Sequence, residues 1–272
     1  MPIVARSDGR RGWHHIMPAR ELARFAGWFA LVALTVFCWR VMTQDTIWDF
    51  VENAPQQAAD IFARMFPPRW SYAERLWRPL WDTINIATMG TLLAIMLATP
   101  IAFLAARNTT PSVVLVRPAA LLIIVASRSI NALIWGLLLV TIIGPGVLAG
   151  IIAIALRSVG FIGKLLYEAI EEIDESQVEA IRATGASPAQ VMTYGIAPQI
   201  MPAFASISVF RWDINIREST VLGLVGAGGL GLALEASLNV LAWPQVTVIL
   251  IMILATVIAS EWLAARVRKH II

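Results

Sequence analysis

The stretch EEIDESQVEAIRATGASPAQVMTYGIAPQIMP, Glu171 to Pro202, is polar where the chain on either side is apolar. It reads as two short helices meeting at an angle. Glu171 to Thr184 is helix-forming, with Ile173, Val178 and Ile181 giving an intermittent apolar face. Gly185 suits the left-handed position that closes such a helix. Ser187 then offers an N-cap, Pro188 takes the first helical position, and Gln190 completes S-x-x-Q, a capping box. Pro198 is expected to end the second helix. The product is a shaped knob. It either packs on its own domain or docks a partner.

The flanks of the knob decide the class of protein. Of 272 residues, 58% are hydrophobic and 14% charged, against roughly 25% charged in an average soluble domain. Too few charges remain to cover a soluble surface. The 11 tryptophans suit membrane interfaces. The chain therefore reads as an all-α polytopic membrane protein. A spanning helix needs about 20 mostly apolar residues, and six segments qualify. They are Phe25–Met42, Thr83–Ala106, Ala119–Ile143, Val147–Ala169, Gln199–Thr220 and Val246–Ala264. The first is too long for a signal-peptide core and lacks a cleavage site, so it is expected to be retained. Met65–Trp70, MFPPRW, reads as a turn leading into the second span. No internal repeat or low-complexity segment stands out.

The bias of Lys and Arg in short loops sets direction. Arg6, Arg10, Arg11, Arg20 and Arg24 precede the first span, which places a tail over residues 1–24 in the cytoplasm. After six crossings Arg266, Arg268 and Lys269 fall on the same side, in a tail over 265–272. Arg107 and Arg117 agree. The external loop over 43–82 carries six acids against four arginines. The knob, over 171–198, is cytoplasmic although acid-rich, so the rule is not uniform. A core over 83–264 holds the remaining spans. Cys38 is the single cysteine, which excludes a disulfide framework. His14, His15 and His270 lie near the termini and read as tail residues, not metal ligands.

The spacing inside the knob resembles the signature of ABC-importer permeases: E-A-A, three residues, G, nine residues, I-x-L-P. Here it is Glu179-Ala180-Ile181, Gly185 and Pro198, with Ile181 in place of the second Ala and Gly195 and Ala197 in place of Ile and Leu. The resemblance implies a type I importer permease (MetI-like) fold, with the knob seated in a groove of an ATP-hydrolysing subunit. Glu179, Ala180, Ala183, Gly185, Ser187, Pro188 and Pro198 are then the coupling residues. Ala180 and Ala183 allow close approach, and Glu179 faces a cation or backbone donors on the partner.

Charges inside the bilayer are costly, on the order of 2.5–3.5 kcal/mol each at the centre of a helix. The fifth span nevertheless carries Arg211, Asp213, Arg217 and Glu218. Arg211, Asn215 and Glu218 share one helical face, and Asp213 and Arg217 form an i, i+4 pair on another. They either fix helix packing as mutual partners or line a polar path. Arg128 and Arg157 are further intramembrane arginines, and Arg128 has no acid on its own span. Lys164 and Glu168 form a structural i, i+4 pair. Several arginines with few acids hint at an anionic substrate.

After the fifth span comes Gly223–Ser237, GLVGAGGLGLALEAS, in which Gly226, Gly228 and Gly231 match G-x-G-x-x-G. A dinucleotide fingerprint needs a preceding strand and an acid roughly 20 residues on. Here a charged membrane helix precedes it, Glu235 comes too soon and Glu261 too late. No G-K-[ST] motif is present, so ATP hydrolysis is not expected of this chain. Gly226, Gly228, Gly229 and Gly231 read instead as bendable, close-packing backbone at an outer gate over 223–244. The run RWDINIRESTVLGLVGAGGLG resembles phosphonate-transport permeases; methionine permeases share only its Gly-Gly-Leu-Gly part.

These resemblances imply a homodimeric permease of the cell membrane importing phosphonate or a related oxyanion. Its partners are two cytosolic ATPase subunits, which hold ATP and Mg, and an external or periplasmic substrate-binding protein. No cofactor, metal or nucleic acid is expected for this chain itself. A methionine importer is the nearest alternative. A proton-coupled transporter using Asp213 and Glu218 leaves the knob unexplained. A membrane enzyme lacks H-E-x-x-H, G-x-S-x-G and an internal histidine base.

Overall fold

A computed structural model describes residues 3–5, 11–13 and 18–271, with side chains from Glu21 to Lys269. Arg6, Arg10, His14 and His15 lie outside the described residues, as do the side chains of Arg11, Arg20 and His270. The chain divides into two units, Met1–Asp60 and Ile61–Ile272.

The first unit begins with a short antiparallel ribbon, β1 (Ile3–Ala5) and β2 (Arg11–Trp13), pairing Ile3 with Trp13. It is the one β element among the described residues. Next comes α1 (Pro18–Thr43), whose apolar side chains, Phe25, Trp28, Phe29 and Trp39 among them, are exposed all round. A helix apolar on every face is a membrane span. The expected outer loop is itself largely helical: α2 (Trp48–Glu52) is followed by α3 (Ala54–Met65), in which the division of the units falls.

The second unit is built on α4 (Ala73–Ala105) and α7 (Val147–Glu171). Helix α4 starts at Ala73, ahead of the expected Thr83, because backbone hydrogen bonding carries the helix past the apolar stretch into Glu74, Arg75, Arg78 and Asp82. The two helices meet through small residues. Ala94, Ala98, Ala102 and Ala153 are fully buried, and a Cβ on Gly90 would come 2.7 Å from Ile154 Cγ2. Such contacts hold membrane helices together where no hydrophobic drive exists between them.

The expected third span is not one helix. It is α5 (Val116–Ser129) and α6 (Ala132–Ile143), bent by 87°. The cause is Asn131, which turns extended at φ −69°, ψ 148° and caps α6, its side-chain oxygen accepting from Leu133 N. An N-cap restarts a helix in a new direction, and hydropathy averaging does not register one.

The knob comprises α8 (Glu175–Ala183) and α9 (Pro188–Gln190). Pro198 does not end the second helix. Helix α9 continues through a π-helical segment, Val191–Ile196, into α10 (Ala197–Leu222). Proline obstructs a helix through its missing N–H and its clash with the carbonyl four residues back. Here the widened turn, with Ala197 N donating to Met192 O five residues back, lets the helix pass through. A second π segment, Gly223–Ala227, then kinks by 54° into α11 (Gly229–Asn239), and α12 (Trp243–Ile271) closes the unit. Among the described residues four helices are long and apolar enough to cross a membrane alone, or up to six if each bent pair is one span.

Candidate functional site

In the knob, the inward face and the outward face are chemically distinct. Val178, Val191, Ile196 and Ile200 are buried against Ala102, Leu166 and Ile170. Glu179, Ala180, Ala183, Gly185, Ser187, Pro188 and Pro198 are all exposed. The apolar side therefore seats the knob on α4 and α7, which leaves the signature residues free. Asp174 caps α8, its carboxylate accepting from Ser176 Oγ and N, and these bonds hold its pKa below the ordinary carboxylate value. Gly185 adopts φ +80°, and Ser187 and Gln190 form the reciprocal capping box. Beneath them Arg117 ties α5 to its neighbours, donating to Ala105 O and to Glu171.

Within α10 the charges pair as their helical phase requires. Arg211 donates to Glu218 at 3.1 Å and Arg217 to Asp213 at 2.6 Å. The surroundings of the two pairs differ. Arg211 is 2% exposed; it donates through Nε to Ser158 Oγ at 2.9 Å and lies 5.0 Å from the centre of the Phe161 ring. Ser158 donates to Asn215, and Asn215 donates to Thr91, so α4, α7 and α10 share one buried network. Asp213 is buried and accepts from Ser260 of α12, whereas the Arg217 side chain is 50% exposed. Buried polar groups persist only when satisfied in this way.

Arg157 reaches across from α7 to Glu218 at 2.6 Å, so one carboxylate serves two arginines. Asn131, Ala132, Leu133, Arg157, Arg217 and Glu218 line a cavity of about 250 Å³ at the break between α5 and α6. The break thus sets the first turn of α6, with its positive dipole end, beside two arginines. Arg128 stands apart from this group. It is exposed, and no acid among the described residues pairs with it.

The glycines after α10 divide by what they do. Gly226, Gly228 and Gly229 take φ of +90°, +90° and +74°, which is open to glycine at little cost. A Cβ on Gly229 would come 2.5 Å from Thr83 Oγ1, and one on Gly231 would run into the Thr220 carbonyl. Thr83 accepts from Leu230 N at 2.9 Å and pins this element to α4.

Several contributors were not legible from spacing. Ser127 of α5 donates to Leu156 O and accepts from Gly160 N, inserting its hydroxyl into the hydrogen-bond ladder of α7 beside Arg157. Ser158, Thr91, Thr83 and Asn131 were missed likewise, since a lone hydroxyl or amide in an apolar run carries no periodic signal. Polar residues at intramembrane positions are the one general clue.

A protein family described as binding-protein-dependent transport system inner membrane component matches residues 80–272. The phosphite transport system permease protein PtxC of Stutzerimonas stutzeri is 40% identical over 92% of this chain and 90% of its own length. The phosphate-import permease protein PhnE of Mycolicibacterium smegmatis is 39% identical over 81% of this chain and 42% of its own. Among solved structures, an inward-facing conformation of the MetNI methionine ABC transporter shares the fold at a TM-score of 0.62. It is 21% identical and covers 72% of this chain and 96% of that one.

Proposed function

The chain belongs to the binding-protein-dependent transport system inner membrane components, and we propose that it forms the path and gate for a small phosphorus oxyanion. It is the permease subunit of an ABC importer and an inner-membrane component. The observation that carries the substrate reading is the arginine-lined cavity at the α5–α6 break, which suits an anion, beside relatives named for phosphite and phosphate. A bidentate guanidinium matches the oxygens of such a group. The likeness to the methionine transporter supports the fold alone.

The mechanism proposed is alternating access. The exposed face of α8 and α9 seats one of two cytosolic ATPase subunits, which hold ATP and Mg. A second copy of the chain completes the path, and an external binding protein delivers the anion. Both termini lie in the cytoplasm on this reading. Movement at Glu179 and Gly185 reorients α10, and the turn at Gly226–Gly231 opens or closes the outer end. The permease contributes path and gate, and the ATPase subunits contribute the chemistry.

Reconstitution with the partner ATPase and binding protein tests this, comparing uptake of phosphite, a phosphonate, phosphate and methionine. ATP-dependent uptake of a phosphorus oxyanion is the expected result. Preference for methionine, or proton-driven uptake by the chain alone, contradicts it.

A further inference from the structure

We infer that Glu218 is a resident counterion that an incoming oxyanion replaces on Arg157, which makes the cavity at the α5–α6 break a charge-exchange site. The inference rests on the oxyanion reading above and adds to it which arginine binds and what holds that arginine beforehand.

The two arginines that share Glu218 are not equivalent. Arg211 is fixed by Ser158, by the face of Phe161 and by one Glu218 oxygen, Oε2. It has no exposed surface to offer a ligand. Arg157 has a side chain 32% exposed, lines the cavity and bonds only the other oxygen, Oε1. One oxygen of the carboxylate is thus committed to packing and the other is available for exchange.

The charges favour an anion. Three guanidiniums, Arg157, Arg211 and Arg217, face two carboxylates, Asp213 and Glu218, which leaves one positive charge. When an oxyanion takes Arg157, Glu218 stays neutralised by Arg211, so no carboxylate is stranded in a low-dielectric interior. When the anion leaves, Arg157 returns to Glu218 and is not stranded either. A site with arginine alone would hold the anion and release it slowly. The competing carboxylate weakens the grip, which a transport path requires. The site lies about midway along α7, at a break in a neighbouring helix, where irregular backbone can line a polar cavity.

The test uses the permease in complex with its ATPase in lipid nanodiscs, with inorganic phosphite as probe and methionine as control. Equilibrium binding without the external binding protein is the readout, beside the thermal unfolding midpoint. Glu218→Gln is expected to tighten phosphite binding about tenfold and to slow turnover, because the competitor is gone. Arg157→Gln is expected to weaken binding about tenfold with an unchanged unfolding midpoint, since Arg211 keeps Glu218 satisfied. Should Glu218→Gln fail to fold, Arg157→Gln decides alone. Unchanged phosphite affinity in Arg157→Gln, or weaker affinity in a folded Glu218→Gln protein, overturns the exchange even where wild-type complex imports phosphite. A wild-type complex that takes methionine and not phosphite overturns the oxyanion reading, and the exchange with it.

Discussion

Ile181 and Gly195 fill each other's space. A Cβ on Gly195 would come 3.3 Å from Ile181 Cδ1 and 3.6 Å from Val178 Cα, so α8 lies close against the π segment at that point. These are two of the positions where the knob departs from the permease signature, which carries Ala at the first and Ile at the second. The larger residue has moved from one helix to the other. Ile181→Ala should cost about 1–2 kcal/mol, for a half-buried side chain. Gly195→Ile should cost about 1–3 kcal/mol by overpacking. The double variant should recover a large part of the sum. Thermal unfolding in detergent measures it, and additive losses would show that the two positions are not coupled.

Gly185 tests the knob through its backbone. At φ +80° with nothing within 4 Å of an added Cβ, it has room but the wrong conformation for most residues. Gly185→Val should cost about 1–2 kcal/mol locally and lower uptake relative to ATP hydrolysis, whereas Gly185→Asn should keep the two coupled. Glu179→Lys, on the exposed face, should uncouple them without altering membrane insertion. Parallel assays of ATPase rate and uptake in proteoliposomes separate these outcomes.

At the glycine turn, the positions differ in kind. Gly231→Ala has no room against the Thr220 carbonyl and should abolish a folded permease, read as loss of a monodisperse peak on size exclusion. Gly228 has ordinary space, its nearest neighbour being Val147 Cγ2 at 3.5 Å, so its constraint is φ alone. At φ +90°, ψ −169°, Gly228→Ala should therefore cost about 1–3 kcal/mol. Gly228→Leu should block transport while leaving ATP binding by the partner intact. The steric demand expected of the whole motif is concentrated at Gly223, Gly229 and Gly231.

Arg211 and Arg217 should differ in how much their loss destabilises the fold. Removing buried Arg211 leaves a cavity beside Phe161 and takes a donor from Ser158, at a cost of about 2–5 kcal/mol, although Arg157 still holds Glu218. Removing Arg217, half exposed, leaves buried Asp213 with Ser260 as its remaining donor and should cost about 1–3 kcal/mol. Unfolding midpoints of Arg211→Ala and Arg217→Ala check this. A smaller effect at Arg211 would point to a role in the path ahead of one in packing.

The cap of α8 gives a pH dependence. Because the bonds from Ser176 lower the folded-state pKa of Asp174, the cap stabilises α8 above the ordinary carboxylate value. That contribution is lost as pH falls through the lowered one. Coupling should thus be insensitive to this group between pH 5 and 8, roughly the range of greatest stability for proteins in general. Amide exchange at Ser176 should stay slow across that range and quicken in Asp174→Ala, but not in Asp174→Asn.

What could be read from the sequence follows from the range of the forces involved. The spans, the capping box and the left-handed Gly185 are local, and so are the pairs Arg211–Glu218 and Asp213–Arg217, which helical phase sets. The partner of Arg157 is 61 residues away on another helix, and only packing brings it there. The break at Asn131 depends on one side-chain hydrogen bond within an otherwise apolar run. The passage of the helix through Pro198 depends on a widened turn that proline alone argues against. Ser127 was invisible because its hydroxyl acts on the backbone of a different helix.

The continuity that Pro198 failed to break has a mechanical meaning. From Pro188 to Leu224 the chain is helical, a length of about 55 Å, running from the capping box of the knob to the kink at Gly226. No flexible joint lies between them to take up slack. The two places where pitch departs from α, Val191–Ile196 and Gly223–Ala227, stand at the two ends. A displacement at Ser187 is therefore delivered to the glycine turn nearly undiminished. On the proposed mechanism, stiffness of one element, more than a chain of side-chain contacts, would tie the timing of the gate to events at the knob.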